Sequence, residues 1–191
     1  AYYVLVETLG SDLGTDADRF ETVLGQAMEE GLIADAVLTR SQSERNAVWE
    51  IRDDVLELFK LGPIIPFDIS VTLDKMESFV SELRTGMDVL KEPVCVIFGH
   101  LGDSNLHVIL GARNAVEFDY KALEHLLYET VERYQGSVSA EHGVGLAKRE
   151  QLHRSRSAAE LQLMIAMKKM LDPKNILNPN KIFTAESITA A

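Results

Sequence analysis

From Cys95 to Leu110 the chain reads CVIFGHLGDSNLHVIL, two apolar runs cut by Gly99-His100 and Gly102-Asp103-Ser104-Asn105. Apolar runs on either side of a Gly- and Asp-containing break predict a β-hairpin, with strands Val94 to Phe98 and Leu106 to Leu110 and a tight turn between them. Pairing brings His100, at the end of one strand, near His107, just inside the other. Further on, GSVSAEHGVGLAKRE (Gly136 to Glu150) puts a third short strand, Ser137 to Ala140, ahead of Glu141-His142, a Gly-Val-Gly turn and a helix. Two imidazoles and a carboxylate from strand ends have the makeup of an open His2Glu metal site, with positions left for water or substrate. The same residues also read as a hydrogen-bonded hairpin beside a solvated Glu, because a lone motif of this kind recurs by chance.

Working outward, Tyr3 to Glu7 reads as a strand and GSDLGTDAD as a loop. Phe20, Val23, Leu24, Ala27 and Met28 then form the stripe of an amphipathic helix that Gly31 ends. Ala34 to Thr39 reads as a strand, and Ser43 to Lys60 as a helix stopped by Gly62-Pro63. Phe67 to Leu73 alternates like a strand, and Asp74 is placed to cap a helix burying Met76, Phe79, Val80, Leu83 and Met87. After the hairpin come helices near Glu117 to Tyr134, Leu146 to Arg154 and Ala158 to Leu171. NILNPNKIF is a Pro-broken tail, and TAESITAA reads as disordered. The order predicts an α+β fold, a ferredoxin-like antiparallel sheet with helices on one face, plus a C-terminal helical segment and an extended tail. The expected divisions are 1–135, 136–183 and 184–191.

At 191 residues, 46% hydrophobic and 26% charged, the composition is that of a globular domain with a sizeable core. A net charge of −11 argues against nucleic-acid binding through bulk electrostatics. The single cysteine, Cys95, excludes an intrachain disulfide and reads as a small buried hydrophobe. No apolar run approaches the length of a transmembrane span, and no leader pattern opens the sequence, so a cytoplasmic, reducing location is expected. The chain starts at Ala1 directly in strand-like YYVLVE, which reads as a fragment. It contains no GxGxxG or GxxxxGK phosphate cradle.

GHLGDSNLH, SAEHGVGLAKRE and LDPKNILNPNKIF, in this order, together with YYVLVE and AVWEIRDD, resemble the C-terminal half of the FAD-linked 2-hydroxy acid dehydrogenases. That group includes D-lactate, glycolate and D-2-hydroxyglutarate dehydrogenases. The resemblance implies a substrate or cap region in 1–135, followed by a segment, 136–183, that completes a flavin site. The FAD would be held mainly by an N-terminal domain outside this chain, so the chain alone is expected to be inactive. It further implies a divalent metal, Zn2+, Mn2+ or Fe2+, on His100, His107 and Glu141; direct substrate binding by the same histidines is the alternative. By the same resemblance His142 is the catalytic base, Arg52 clamps the substrate carboxylate, Asn105 orders the site, and Asn178 and Lys181 lie in the tail that meets the flavin. Asn180 stands where the family usually has Gly, and a homodimer is compatible with the resemblance.

Other residues have plainer readings. Arg52 is as well explained by a surface ion pair with Asp53, His142 by an exposed turn, and Asn105 by its backbone preference. Lys148 and Arg149 read as the solvated basic face of a helix, with a weaker possibility of meeting an anionic group near the flavin. Leu56, Pro66 and Ile109 stand where the hydroxyglutarate branch carries Thr, Lys and Asn, which favours a smaller or more apolar 2-hydroxy acid. Two readings from other classes fit the same residues: a self-contained metallohydrolase in which His142 activates water, and a non-catalytic ferredoxin-like binding module.

Overall fold

A computed structural model of the chain describes residues 2–12 and 14–190. Two units form, Ala1–Asp54 and Val55–Ala191. The second holds a three-stranded antiparallel sheet in the order β1-β3-β2, from β1 (Ile64–Ser70), β2 (Pro93–His100) and β3 (Asn105–Ala112). The hairpin expected at Cys95 to Leu110 is the β2–β3 pair. Its turn is a short 3-10 segment, Leu101–Asp103, closed by Ser104 in the left-handed region at φ 62°.

Because side chains alternate across a pleated sheet, register assigns every residue to a face. Leu110 pairs with Ile65 and Cys95, and Val108 with Phe67 and Ile97; with Ile69 and Leu106 these make the core face. It is covered by α3 (Leu73–Met87) and α4 (Tyr120–Arg133). From α3 come Phe79, Val80, Leu83 and Met87, and from α4 Leu123, Leu127, Tyr128 and Val131, all buried in the same cluster. Tyr128 meets Phe67 edge-on at 5.7 Å. The stripe predicted from Met76 to Met87 is thus buried, whereas the one predicted from Phe20 to Met28 is not, with Val23 and Met28 exposed. The opposite sheet face carries Asp68, Asn105 and His107, which a strand-period pattern leaves for another use.

Several local expectations change. Thr72, not Asp74, is the N-cap of α3; Asp74 sits in the first turn, where a carboxylate favours the helix dipole. The expected long helix from Ser43 ends early: α2 is Gln42–Asp53, capped by Ser41, and a 3-10 stretch, Val55–Leu61, follows. Asp53 and Asp54 place two negative charges against the negative end of the helix, which disfavours continuing it. In the first unit, α1 (Asp16–Glu29) and α2 bury no residue, and Glu7 accepts from Arg45 Nε and Trp49 Nε1 at 2.6 and 3.0 Å. Tyr3 to Glu7 and Ala34 to Thr39 join no ladder among the described residues. Alternation predicts a surface fit for a sheet without supplying the neighbouring backbone, and Tyr3 and Val37 are largely exposed.

Residues 136–183 belong to the same unit as the sheet. The expected strand Ser137 to Ala140 is reduced to one antiparallel bridge, Ser137 to Ser70, with N–H···O distances of 2.8 and 3.1 Å. The helix expected from Leu146 is turns followed by a 3-10 segment, Arg149–Arg154. α5 (Ala158–Leu171) begins with a capping box between Ser157 and Glu160. Only Ile165 of α5 is buried, while Leu163, Met167, Met170 and Leu171 are exposed. Asp172 then stops the chain's turn by accepting from Ile176 N and Leu177 N. The end expected to lack order contains a short helix, α6 (Ala185–Ala190), begun by Thr184, whose hydroxyl accepts from Ser187 N.

Gly136 allows the bridge to form, since a Cβ there would lie 2.5 Å from the Ser70 carbonyl oxygen. Backbone cannot yield as a flexible side chain does. Gly136→Ala is therefore expected to lower stability by about 1–3 kcal/mol, the usual cost of overpacking, measured as a reduced midpoint in urea denaturation with the slope unchanged.

Candidate metal and proton-transfer site

On the sheet face away from α3 and α4, register sets two rows side by side: Asp68, His107 and Phe98, then Ser70, Asn105 and His100. His100 and His107 come together as the hairpin predicts, with ring centroids 6.4 Å apart and nearly perpendicular. Phe98 lies against His107 at 5.2 Å. Glu141 reaches the same place from the turn after the Ser137 bridge, with Oε1 3.3 Å from His107 Nε2. His142 joins it: Nε2 is 3.5 Å from Glu141 Oε1 and Nδ1 is 3.9 Å from Asp68 Oδ2. His107 is mostly covered, while the His142 side chain is 63% exposed and open to a ligand.

One pair among these side chains, His107 and Glu141, has a spacing that suits a shared divalent cation. Two ligand atoms bound at about 2.1 Å to a tetrahedral ion lie about 3.4 Å apart, close to the His107–Glu141 spacing. Asn105 adds a second sign. It is 3% exposed, and its Oδ1 has no hydrogen-bond partner among the described residues. A buried acceptor left unsatisfied costs roughly 1–3 kcal/mol, a cost that a cation or a hydroxyl donor at the site would remove. Among the described residues, the group of three whose ligand atoms all lie within 4.8 Å of one another is Asp68, Glu141 and His142, a set that includes neither His100 nor His107. Asp68 is a poor member of it, because the oxygen facing His142 already accepts from Ser139 Oγ, the amides of Ala140, Glu141 and His142, and Lys148 Nζ, at 3.0–3.2 Å.

Asp68 and Lys148 are the residues beside Glu141 and His142 that sequence reasoning did not place there. Lys148 is not a solvated helix residue: its side chain is 12% exposed, and it also donates to Asp68 O and Ser139 Oγ. Arg149 pairs with Glu150 and donates to Asn180 O at 3.0 Å. The one available signal for Asp68 was a charged residue inside an otherwise apolar strand, PFDIS. Arg52, at the end of α2 in the first unit, has Nη1 3.3 Å from Asp53 Oδ1, the surface pairing weighed against its role as a clamp. In the tail, Asn178 and Asn180 have φ of 48° and 61°. Asn tolerates that region better than other non-glycine residues, so it can stand in place of Gly at 180. Asn178 O accepts from Lys181 N, and Ile182 N donates to Gly145 O, which ties the tail to the loop after His142.

Over residues 1–182 the chain matches the family described as FAD linked oxidases, C-terminal domain. It belongs to this family. Among curated proteins it is similar to a probable mitochondrial D-2-hydroxyglutarate dehydrogenase of Oryza sativa subsp. japonica, 38% identical over 182 residues, 95% of this chain and 32% of that one. A mitochondrial D-2-hydroxyglutarate dehydrogenase of Rattus norvegicus is 37% identical over 187 residues, covering 97% and 35% of the two chains. A D-2-hydroxyglutarate dehydrogenase of Stutzerimonas stutzeri is 36% identical over 180 residues, covering 90% and 39%. The chain therefore spans about a third of the length of these family relatives. No helix among the described residues is long and apolar enough to cross a membrane.

Burial pushes the Asp68 carboxyl up, but the His142 amide, the Lys148 ammonium and the Glu141 amide more than offset it and hold the group at about 2, below the usual 3.8. A depressed carboxyl stabilises the fold fully above its unfolded value, and that contribution disappears as pH falls through the folded one. Between pH 4 and 2 the protein is expected to lose roughly 2 kcal/mol on this account. Denaturant titrations across that range check it: Asp68→Asn should be less stable at pH 6 and should show a flatter acid limb.

Proposed function

We propose that this chain is the substrate-binding and proton-transferring part of an FAD-dependent oxidoreductase acting on a small 2-hydroxy acid. The observation that carries the reading is the meeting of His107 and His142 at one oxygen of Glu141, at 3.3 and 3.5 Å, in a chain that belongs to the FAD linked oxidases. His100, His107 and Glu141 would hold the divalent cation, with Zn2+, Mn2+ and Fe2+ all suited to two imidazoles and a carboxylate. When bound, the cation would polarise the substrate hydroxyl and the flavin would accept the hydride from C2. His142, exposed and adjacent, would take the hydroxyl proton on its imidazole. Arg52 would supply two parallel N–H donors to the substrate carboxylate. Asn178 and Lys181 would lie against the cofactor, whose main binding domain is a further part of the protein. The exposed apolar side chains of α5 support such an apposition, since a helix apolar on most sides is one that packs against something.

The names of the relatives point to 2-hydroxyglutarate. One row away from Asp68, His107 and Phe98 on the same face, however, stand Pro66, Ile109 and Val96, which offer a second carboxylate no cation or donor side chain. That row favours an acid with a short or apolar substituent. In the full-length FAD-loaded protein, kcat/KM should be higher for D-lactate or 2-hydroxybutyrate than for D-2-hydroxyglutarate; the reverse order would restore the dicarboxylate.

The spacing of 3.5 Å also suits His142 as a metal ligand, and one comparison separates the two roles. His142→Ala should lower kcat by about 10² to 10⁴, the usual worth of a general base, and leave metal content intact. Glu141→Ala should release the metal. Metal loss in both variants, by elemental analysis, would make His142 a ligand instead.

A further inference from the structure

Glu141 and His142 are consecutive residues, yet both side chains serve one site, and nothing in their own sequence forces that. The force comes from below. Three successive amides, Ala140 N, Glu141 N and His142 N, converge on the carboxylate of Asp68 at 3.0–3.2 Å. This is the concave array of N–H groups that binds anions elsewhere in proteins, here filled by a side chain of the same protein. Asp68 is 2% exposed and is the register partner of His107, so the strand that presents the histidine also presents the anchor for the turn. Lys148 closes the arrangement from the other side, donating to the Asp68 carboxylate, the Asp68 backbone oxygen and Ser139 Oγ at 3.0, 2.8 and 3.0 Å. Gly143 and Gly145, at φ 75° and 54°, let the chain double back between His142 and Lys148.

We propose that Asp68, locked by Lys148, is a positioning residue: it fixes the 140–142 backbone so that Glu141 faces His107 while His142 stays open to the substrate. The inference rests on the reading of this site as the place where a 2-hydroxy acid is oxidised, and adds to it a part that touches neither substrate nor metal. Groups that hold metal or catalytic side chains from behind are worth about 10–100-fold in affinity or activity.

The test uses the full-length, FAD-loaded protein. Asp68→Ala removes the carboxylate and leaves a space ringed by three amides, a hydroxyl and an ammonium group, which formate matches in charge and size. We expect kcat to fall 10-fold or more with KM changed less than threefold, and added sodium formate, but not sodium chloride, to restore part of kcat. Amide hydrogen exchange, followed without substrate, should show residues 140–142 protected in the wild type, fast in Asp68→Ala and protected again with formate. A folded Asp68→Ala protein with wild-type kcat, or one indifferent to formate in both rate and exchange, would overturn the proposal. Should Asp68→Ala fail to fold even with formate, Lys148→Met decides: a kcat reduced several-fold at constant KM supports the lock, and an unchanged kcat sinks it. A wild-type protein that oxidises no 2-hydroxy acid would instead fail the proposed function, and the exchange arm would still decide whether Asp68 holds the turn.

Discussion

Removing a carboxylate from water is costly unless charge and hydrogen bonds replace the solvent, and at Asp68 they do so from three sides. The second unit is organised by that requirement. Asp68 needs donors on the sheet face away from α3 and α4, and the donors arrive as the backbone of residues 140–142 and the end of Lys148, both from a segment far along the chain. An apolar contact could have brought the segment there as firmly. It would not have fixed the orientation of each peptide group, whereas hydrogen bonds from consecutive amides do.

The sheet thus divides its work by parity. Odd positions of β1 and even positions of β3 build the core with α3 and α4, and the intervening positions carry polar chemistry. A one-residue slip of β3 against β1 would put His107 into the core and Val108 into the site. Ile69, Val108 and Leu110, all fully buried, make that slip expensive, so the packing on one face guards the geometry on the other. A cleft of about 170 Å³ between α3 and α4 is apolar apart from Asp119, which is engaged as the N-cap of α4.

The sequence was most legible where periodicity and burial coincide. The face of α3, the hairpin and the meeting of His100 with His107 follow from spacing alone, because local pattern and tertiary contact ask for the same residues. The strands expected at Tyr3 to Glu7 and Ala34 to Thr39 failed as predictions of a ladder, since alternation says nothing about the partner backbone. The helix expected from Leu146 was misread for a different reason: Lys148 looks like a surface residue in any window of sequence, and its pull toward Asp68 is visible only in three dimensions. The same holds for Asp68 itself, a single acidic letter whose partners are some seventy positions away.

The contact at Gly136 bears on how such a protein can change over time. The bridge that it permits pins the end of β1 and also launches the turn carrying Glu141 and His142. Robustness and reactivity therefore share one joint, and a substitution there cannot trade one for the other. Room for diversification lies instead in the β2–β3 turn, where a Cβ added at Gly102 would meet nothing within 4 Å. New substrate preferences would be reached more readily by remodelling that rim than by altering the floor beneath it.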